Sequence, residues 1–198
     1  MSTTTLVIDP TVTTGVSLAQ VVEEQCGEKV RDCYQCGKCS AGCPVVYAMD
    51  VAPHRVLRAA QLNQKDMLLK STTIWVCASC HTCATRCPCE IDIPKVMDTF
   101  RRMAIAEKVR PSQPNALLFD RLFLKSIELT GRLYELGLVG FFNLLGKQPF
   151  ANMDLAPAMM LKGKIPLIPS RLKGRREVSE IFKRVEEVEK KGNQEIRE

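Results

Sequence analysis

No stretch of this sequence is apolar for long enough to cross a bilayer. The longest candidate, residues 136–145 (LGLVGFFNLL), is roughly half of the ~20 residues that a membrane-spanning helix needs. The opening residues, MSTTTLVIDPTVTTG, lack a basic region, an apolar segment and a small-residue cleavage site, which reads against a secretory signal. There is no nucleic-acid-binding motif either. A reducing, cytoplasmic location is therefore expected, and a disulfide framework is disfavoured there. The 198 residues, 45% hydrophobic and 25% charged, are ordinary for a globular protein and suffice for one domain or two small ones.

What is plentiful is cysteine, with ten residues. Eight of them form a repeat. Cys33, Cys36, Cys39 and Cys43, followed by Pro44, recur 44 positions later as Cys77, Cys80, Cys83 and Cys87, followed by Pro88. Both copies read C-x2-C-x2-C-x3-C-P. Three cysteines at this spacing wrap one turn of backbone around a cubane and point backbone N–H groups at its sulfides. The fourth cysteine turns away from that corner, and in two-cluster proteins it ligates the other cluster. On this pattern Cys33, Cys36, Cys39 and Cys87 hold one [4Fe–4S] cluster, and Cys77, Cys80, Cys83 and Cys43 hold the second. Zinc is the competing reading. Structural zinc sites place four ligands around one ion and use C-x2-C pairs joined by a longer spacer, which two quartets ending in Cys-Pro do not match.

The clusters bear on the charge. Two four-thiolate clusters of about −2 each lower the formal +6 to about +2, so the basic isoelectric point is weak evidence for a nucleic-acid partner. Cys26 and Cys89 fall outside the repeat and read as buried small hydrophobes, although Cys89 is an alternative ligand to Cys87 if the register shifts. His81, inside the second motif, reads as a solvated loop residue. His54 carries no signal of its own.

The rest of the chain reads as mostly helical. Residues 3–9 suggest a short strand or an ordered tail. Ser17 is positioned to cap a helix over about 18–30. Pro53 opens a short helix with Val56, Leu57 and Ala60 on one side, and a further turn covers 65–69. Trp75 reads as a packing wall ahead of Cys77. Asp92 and Pro94 start a helix whose apolar face is Val96, Met97, Phe100, Met103 and Ala104. Helical spacing resumes over 115–145 with Leu118, Leu122, Ile127, Leu133 and Leu136, interrupted near Gly131 and Gly140. Residues 150–175, with Pro157, Pro166, Pro169 and three methionines, suit an extended arm that docks on this protein or a partner. Residues 177–191 form an amphipathic helix with a stripe of Val178, Ile181, Phe182 and Val185. The expected organisation is a tail at 1–16, a two-cluster domain at 17–110, a helical extension at 111–148 and a docking arm with a terminal helix at 149–198.

The words around the motifs, from Cys33 through Pro44 with Asp50 and Pro53, then Thr73 to Cys77, and the tail from Leu155 to Pro166, resemble the C subunit of heterodisulfide reductase. The resemblance implies a mainly α chain with an α-helical ferredoxin-like fold, two [4Fe–4S] clusters and the eight motif cysteines as ligands. It further implies an electron relay in a hetero-oligomer, between a flavin-containing A subunit and a B subunit that reduces a disulfide on clusters bound by Cys-Cys-Gly motifs. This chain has no Cys-Cys-Gly repeat, so disulfide chemistry is expected in a partner. The alternatives are an iron–sulfur subunit of another flavin-linked dehydrogenase and a freely diffusing carrier. The extra helices and basic tail weigh against the carrier.

Overall fold

The computed structural model describes residues 16–146 and 174–195. The expected N-terminal strand and the proline-rich arm lie outside the described residues. Within them every regular element is helical. They fall into two compact units that part between Pro114 and Asn115.

The first unit contains seven helices: α1 (Leu18–Cys26), α2 (Lys38–Ala41), α3 (Pro53–Gln61), α4 (Lys65–Lys70), α5 (Thr73–Val76), α6 (Thr82–Thr85) and α7 (Ile93–Ala106). A capping box starts α1. Ser17 Oγ accepts the Gln20 amide hydrogen at 3.3 Å, and Gln20 Oε1 accepts that of Ser17 at 2.8 Å. The sequence suggests that this helix reaches Val30, but it stops four residues earlier. Gly27 takes the left-handed conformation, φ 76°, and its N–H closes on the Glu23 carbonyl, a glycine C-cap. The chain then turns through a 3-10 segment, Val30–Asp32, which drives Val30 fully into the core.

The core gathers around α7, which packs against α1, α4 and α5. Asp92 caps its start, accepting the Lys95 amide hydrogen at 3.4 Å, and Pro94 lies in the first turn. All five residues of the expected apolar face are buried, and Phe100 is the largest fully enclosed side chain. Val22, Leu57, Leu68, Leu69, Ile74 and Ile93 complete the packing. At roughly 1.5–3 kcal/mol for each large buried side chain, this cluster is what holds the short helices in place. None of α2, α5 and α6 exceeds four residues, too short to persist alone.

The sequence repeat is also a repeat of backbone. Helix α2 is reproduced by α6 at the same 44-residue offset. Ahead of each, two residues are left-handed: Gln35 (φ 65°) and Gly37 (φ 76°) in the first copy, Ser79 (φ 47°) and His81 (φ 58°) in the second. The turns close alike, Ala41 N–H to Gly37 O and Cys43 N–H to Ser40 O, then Thr85 N–H to His81 O and Cys87 N–H to Ala84 O. Alternating left- and right-handed residues make a concave nest of N–H groups that suits an anion.

Asp50 ties the two copies together. Its carboxylate accepts Ser71 Oγ–H at 2.7 Å, Thr73 Oγ1–H at 2.7 Å, the amide hydrogens of Thr72 and Thr73 at 2.9 and 3.0 Å, and that of Val51 at 2.9 Å. The loop leaving the first motif thereby caps α5, the helix that enters the second. Burial acts to raise the Asp50 carboxyl, but the hydrogen bonds from Ser71, Thr72 and Thr73 prevail and hold it below its ordinary value.

The second unit comprises α8 (Pro114–Thr130), α9 (Glu135–Leu145) and α10 (Arg175–Glu195). The break at Gly131 is present, whereas Gly140 lies inside an unbroken α9. Leu118, Leu122, Ile127, Leu133 and Leu136 are only half-buried, and Leu138 and Asn143 are the buried residues of α9. Phe119 meets Phe142 edge to face, centroids 5.6 Å apart, an arrangement aromatic quadrupoles favour. In α10, Ile181 and Val185 of the expected stripe are exposed, and Val178 and Phe182 are half-buried.

Two outcomes follow for the cluster-loaded full chain under anaerobic denaturation. Asp50→Asn removes the charge from five hydrogen bonds on a partly exposed group and lowers stability by about 1–2 kcal/mol at neutral pH. Because the folded carboxyl lies below its unfolded value, that stabilisation is present above about pH 4 and fades as pH falls through the folded pKa. The gap between wild type and variant should therefore close in acid; a gap that widens contradicts the assignment. Separately, Gly37 sits at φ 76°, so Gly37→Ala carries at least the left-handed penalty of about 1 kcal/mol. His81→Gly should shift the unfolding midpoint the opposite way.

Candidate metal centre

Each motif is entered through one turn of helix, and each turn is clamped from outside by a single polar side chain. Gln61, at the end of α3, donates Nε2–H to the carbonyls of Val30 and Cys33, both at 3.0 Å. Arg101, on α7, donates Nε–H to the Ile74 carbonyl and Nη2–H to that of Cys77 at 2.5 Å. The four acceptors are equivalent across the repeat, since Val30 corresponds to Ile74 and Cys33 to Cys77. The donors are not equivalent. One clamp is neutral, and the other is a guanidinium that also pairs with Asp98 at 2.6 Å.

Beyond the first clamp lies a small recess. Its wall includes Cys33, Cys36 and Cys39 from the first motif and Cys87 from the second, together with His54 and Cys89. The elements explain the convergence. Helices α2 and α6 pack against each other, and the positions before the last cysteines interlock: the Arg86 side chain lies where a Cβ on Gly42 would stand, 2.7 Å from its Cδ. In the second motif, burial pushes the Cys83 thiol up to about 11, and the neighbouring Cys77 thiolate adds to the effect. Burial likewise raises Cys39, the equivalent position, with hydrogen bonds from Ser40 working against it. Exposed Cys80 is lowered by its hydrogen bond with Thr82. Cys43 is half-buried just past the end of α2.

The donor chemistry fits an iron–sulfur cluster. Among the described residues no three of His, Cys, Asp and Glu converge on a point that would chelate a single metal ion. The recess lining includes Cys33, Cys36, Cys39 and Cys87, the all-sulfur donor set that a cubane takes. Hydrogen-bond donors accompany both motifs. Gln35 Nε2–H reaches Cys33 Sγ at 3.3 Å. Trp75, 8% exposed and two residues ahead of Cys77, buries an indole N–H that has no acceptor among the described residues, an arrangement proteins rarely leave uncompensated.

Three residues depart from their sequence reading or are invisible to it. Cys89 is not a buried hydrophobe: it lines the recess, and its Sγ–H donates to the Asp32 carbonyl at 3.2 Å, pinning the end of the second motif to the start of the first. Cys26 is not buried either. It is half-exposed beside an open cleft, bonding back to the Val22 carbonyl at 3.0 Å. A residue type that is buried on average gives no warning of thiols with polar partners. On His54 the sequence is silent, because a lone histidine in a helix carries no spacing signal. It lines the recess, and its ring is held by Ser40, 2.6 Å away; burial, then Arg55, keeps its pKa below the ordinary value. His81 is exposed, as expected, with its ring 3.6 Å from Asp92.

Comparison with known proteins agrees with this chemistry. Residues 32–92 match the family described as a 4Fe-4S dicluster domain. The C2 subunit of the H2/formate:CoB-CoM heterodisulfide,ferredoxin reductase of Methanococcus maripaludis is 35% identical over 95 residues, 46% of this chain and 50% of that protein. The second iron-sulfur C subunit of the CoB–CoM heterodisulfide reductase of Methanocaldococcus jannaschii is 36% identical over 84 residues, 42% and 45% of the two chains. A protein of Archaeoglobus profundus described as like the heterodisulfide reductase C subunit is 30% identical over 91 residues, 46% and 48%. The chain thus spans about half the length of the curated relatives it matches. No helix among the described residues is long and apolar enough to cross a membrane. Residues 32–92 are a dicluster domain for two [4Fe–4S] clusters with an electron-transfer role, and over this part the chain is a relative of the C subunits of heterodisulfide reductases.

Proposed function

We propose that the chain is the relay subunit of a heterodisulfide-reductase-type complex, taking electrons from a flavin-containing A-type subunit and passing them to a disulfide-reducing B-type subunit. The observation that carries the reading is the recess wall, where three cysteines of one motif stand with the last cysteine of the other. We assign Cys33, Cys36, Cys39 and Cys87 to one cluster, and Cys77, Cys80, Cys83 and Cys43 to its neighbour. The names of the relatives support the partners: each is a C subunit of a heterodisulfide reductase or similar to one.

When bound, each cluster supplies a one-electron carrier. The chain's residues provide what surrounds it. The left-handed pairs at 35/37 and 79/81 suit a turn that presents amide hydrogens to an anion, and Gln61 and Arg101 fix the entry of each turn. A last cysteine given to the other motif's cluster keeps the carriers near each other, which a relay needs. We assign the bounds 17–110 to the cluster-bearing part and 111–148 and 149–198 to partner contacts. The exposed Leu124, Leu129, Phe141 and Leu144 of α8 and α9 support such contacts.

The assignment is checked by iron content and by transfer between the partners. The anaerobically prepared chain should hold about eight irons, and Cys36→Ala or Cys80→Ala should lose or convert one cluster and stop flavin-to-disulfide transfer. Stoichiometric zinc, or full-rate transfer in both variants, would sink the reading.

A further inference from the structure

The two motifs are alike in backbone but not in what stands over them. Ser40, between Cys39 and Cys43, corresponds to Ala84 in the second copy. In the first copy the Ser40 hydroxyl binds His54 twice: Oγ accepts the His54 amide hydrogen at 3.1 Å and lies 2.6 Å from its Nδ1. The two contacts fix the ring, and in the tautomer in which the Ser40 hydrogen goes to Nδ1 the ring hydrogen resides on Nε2. Nε2 makes no hydrogen bond among the described residues, and His54 lines the recess with Cys33, Cys36, Cys39 and Cys87. The alanine of the second motif cannot hold a ring this way.

We propose that His54, oriented by Ser40, is a positioning residue that donates its Nε2–H to a sulfur of the cluster held in this recess, raising that cluster's reduction potential relative to its neighbour's. The inference rests on the cluster assignment above. Reduction adds negative charge to the cluster, so a donor aimed at sulfur stabilises the reduced form more than the oxidised one. His54 would thereby act on one site alone, because Ala84 leaves the second motif without a ring held in this way.

The chain has two histidines, which permits a test on the unaltered protein. With 15N-histidine incorporated, pulsed electron paramagnetic resonance of the reduced, cluster-loaded chain should show a nitrogen coupled to one cluster, unchanged by His81→Asn. In a redox titration, His54→Leu should lower the reduced-to-oxidised ratio of one cluster about tenfold at fixed potential, a downward shift of ~59 mV for one electron. The other cluster should stay put, and His54→Gln, which keeps an N–H donor, should remain close to wild type. Absence of nitrogen coupling, or a His54→Leu chain with full iron and both potentials unmoved or equally moved, overturns the proposal. A wild-type chain without two clusters would instead overturn the assignment beneath it.

Discussion

A polypeptide that carries an iron–sulfur cube must present its amide hydrogens to a dense negative charge, and it must do so with very little chain. That constraint governs the first unit. A right-handed helix aims its amides along its axis, so a turn that curls them around an anion needs left-handed residues between helical ones. They occur twice here at matching places, and two of the four, Gln35 and His81, carry large side chains in a conformation that costs about 1 kcal/mol or more. Short helices with strained entries have no stability of their own. The surrounding core around Phe100 and the network on Asp50 supply it.

The polar bonds at the motif entrances extend the same logic. A cysteine ligand is only as well placed as the turn that leads into it. Gln61 and Arg101 each grip two carbonyls one helical turn apart, the second belonging to the first cysteine of the motif. Both come from helices that follow their motif, α3 and α7, and both helices are anchored in the core. Packing is thus converted into ligand position through a side chain rather than through direct contact.

The division between what is legible in the sequence and what is not follows range. The repeat, the cysteine spacing and the cap residues Ser17 and Asp92 act over a few positions, so the residues alone disclose them. The expected helix of about 18–30 runs too long because the helix formers around Gly27 mask its role as a stop. Partnerships across tens of residues leave no local mark: Gln61 with Cys33, Arg101 with Cys77, Cys89 with Asp32, Ser40 with His54. The sequence misleads at Cys26 and Cys89 because the carbonyls they bond to, and not their average burial, fix their role. Asp50 stands out only through the resemblance, and its five hydrogen bonds explain why an acidic residue belongs there.

The contact between Gly42 and Arg86 has a consequence for how such a chain can be assembled. The two positions are counterparts, and the exposed Arg86 side chain lies over the space that a Cβ on Gly42 would take. Two identical single-motif peptides meeting face to face would bring either a pair of glycines or a pair of arginines to that spot, leaving it open or setting two like charges side by side. A tandem arrangement within one chain escapes the dilemma, because each half is free to differ where it presses on the other.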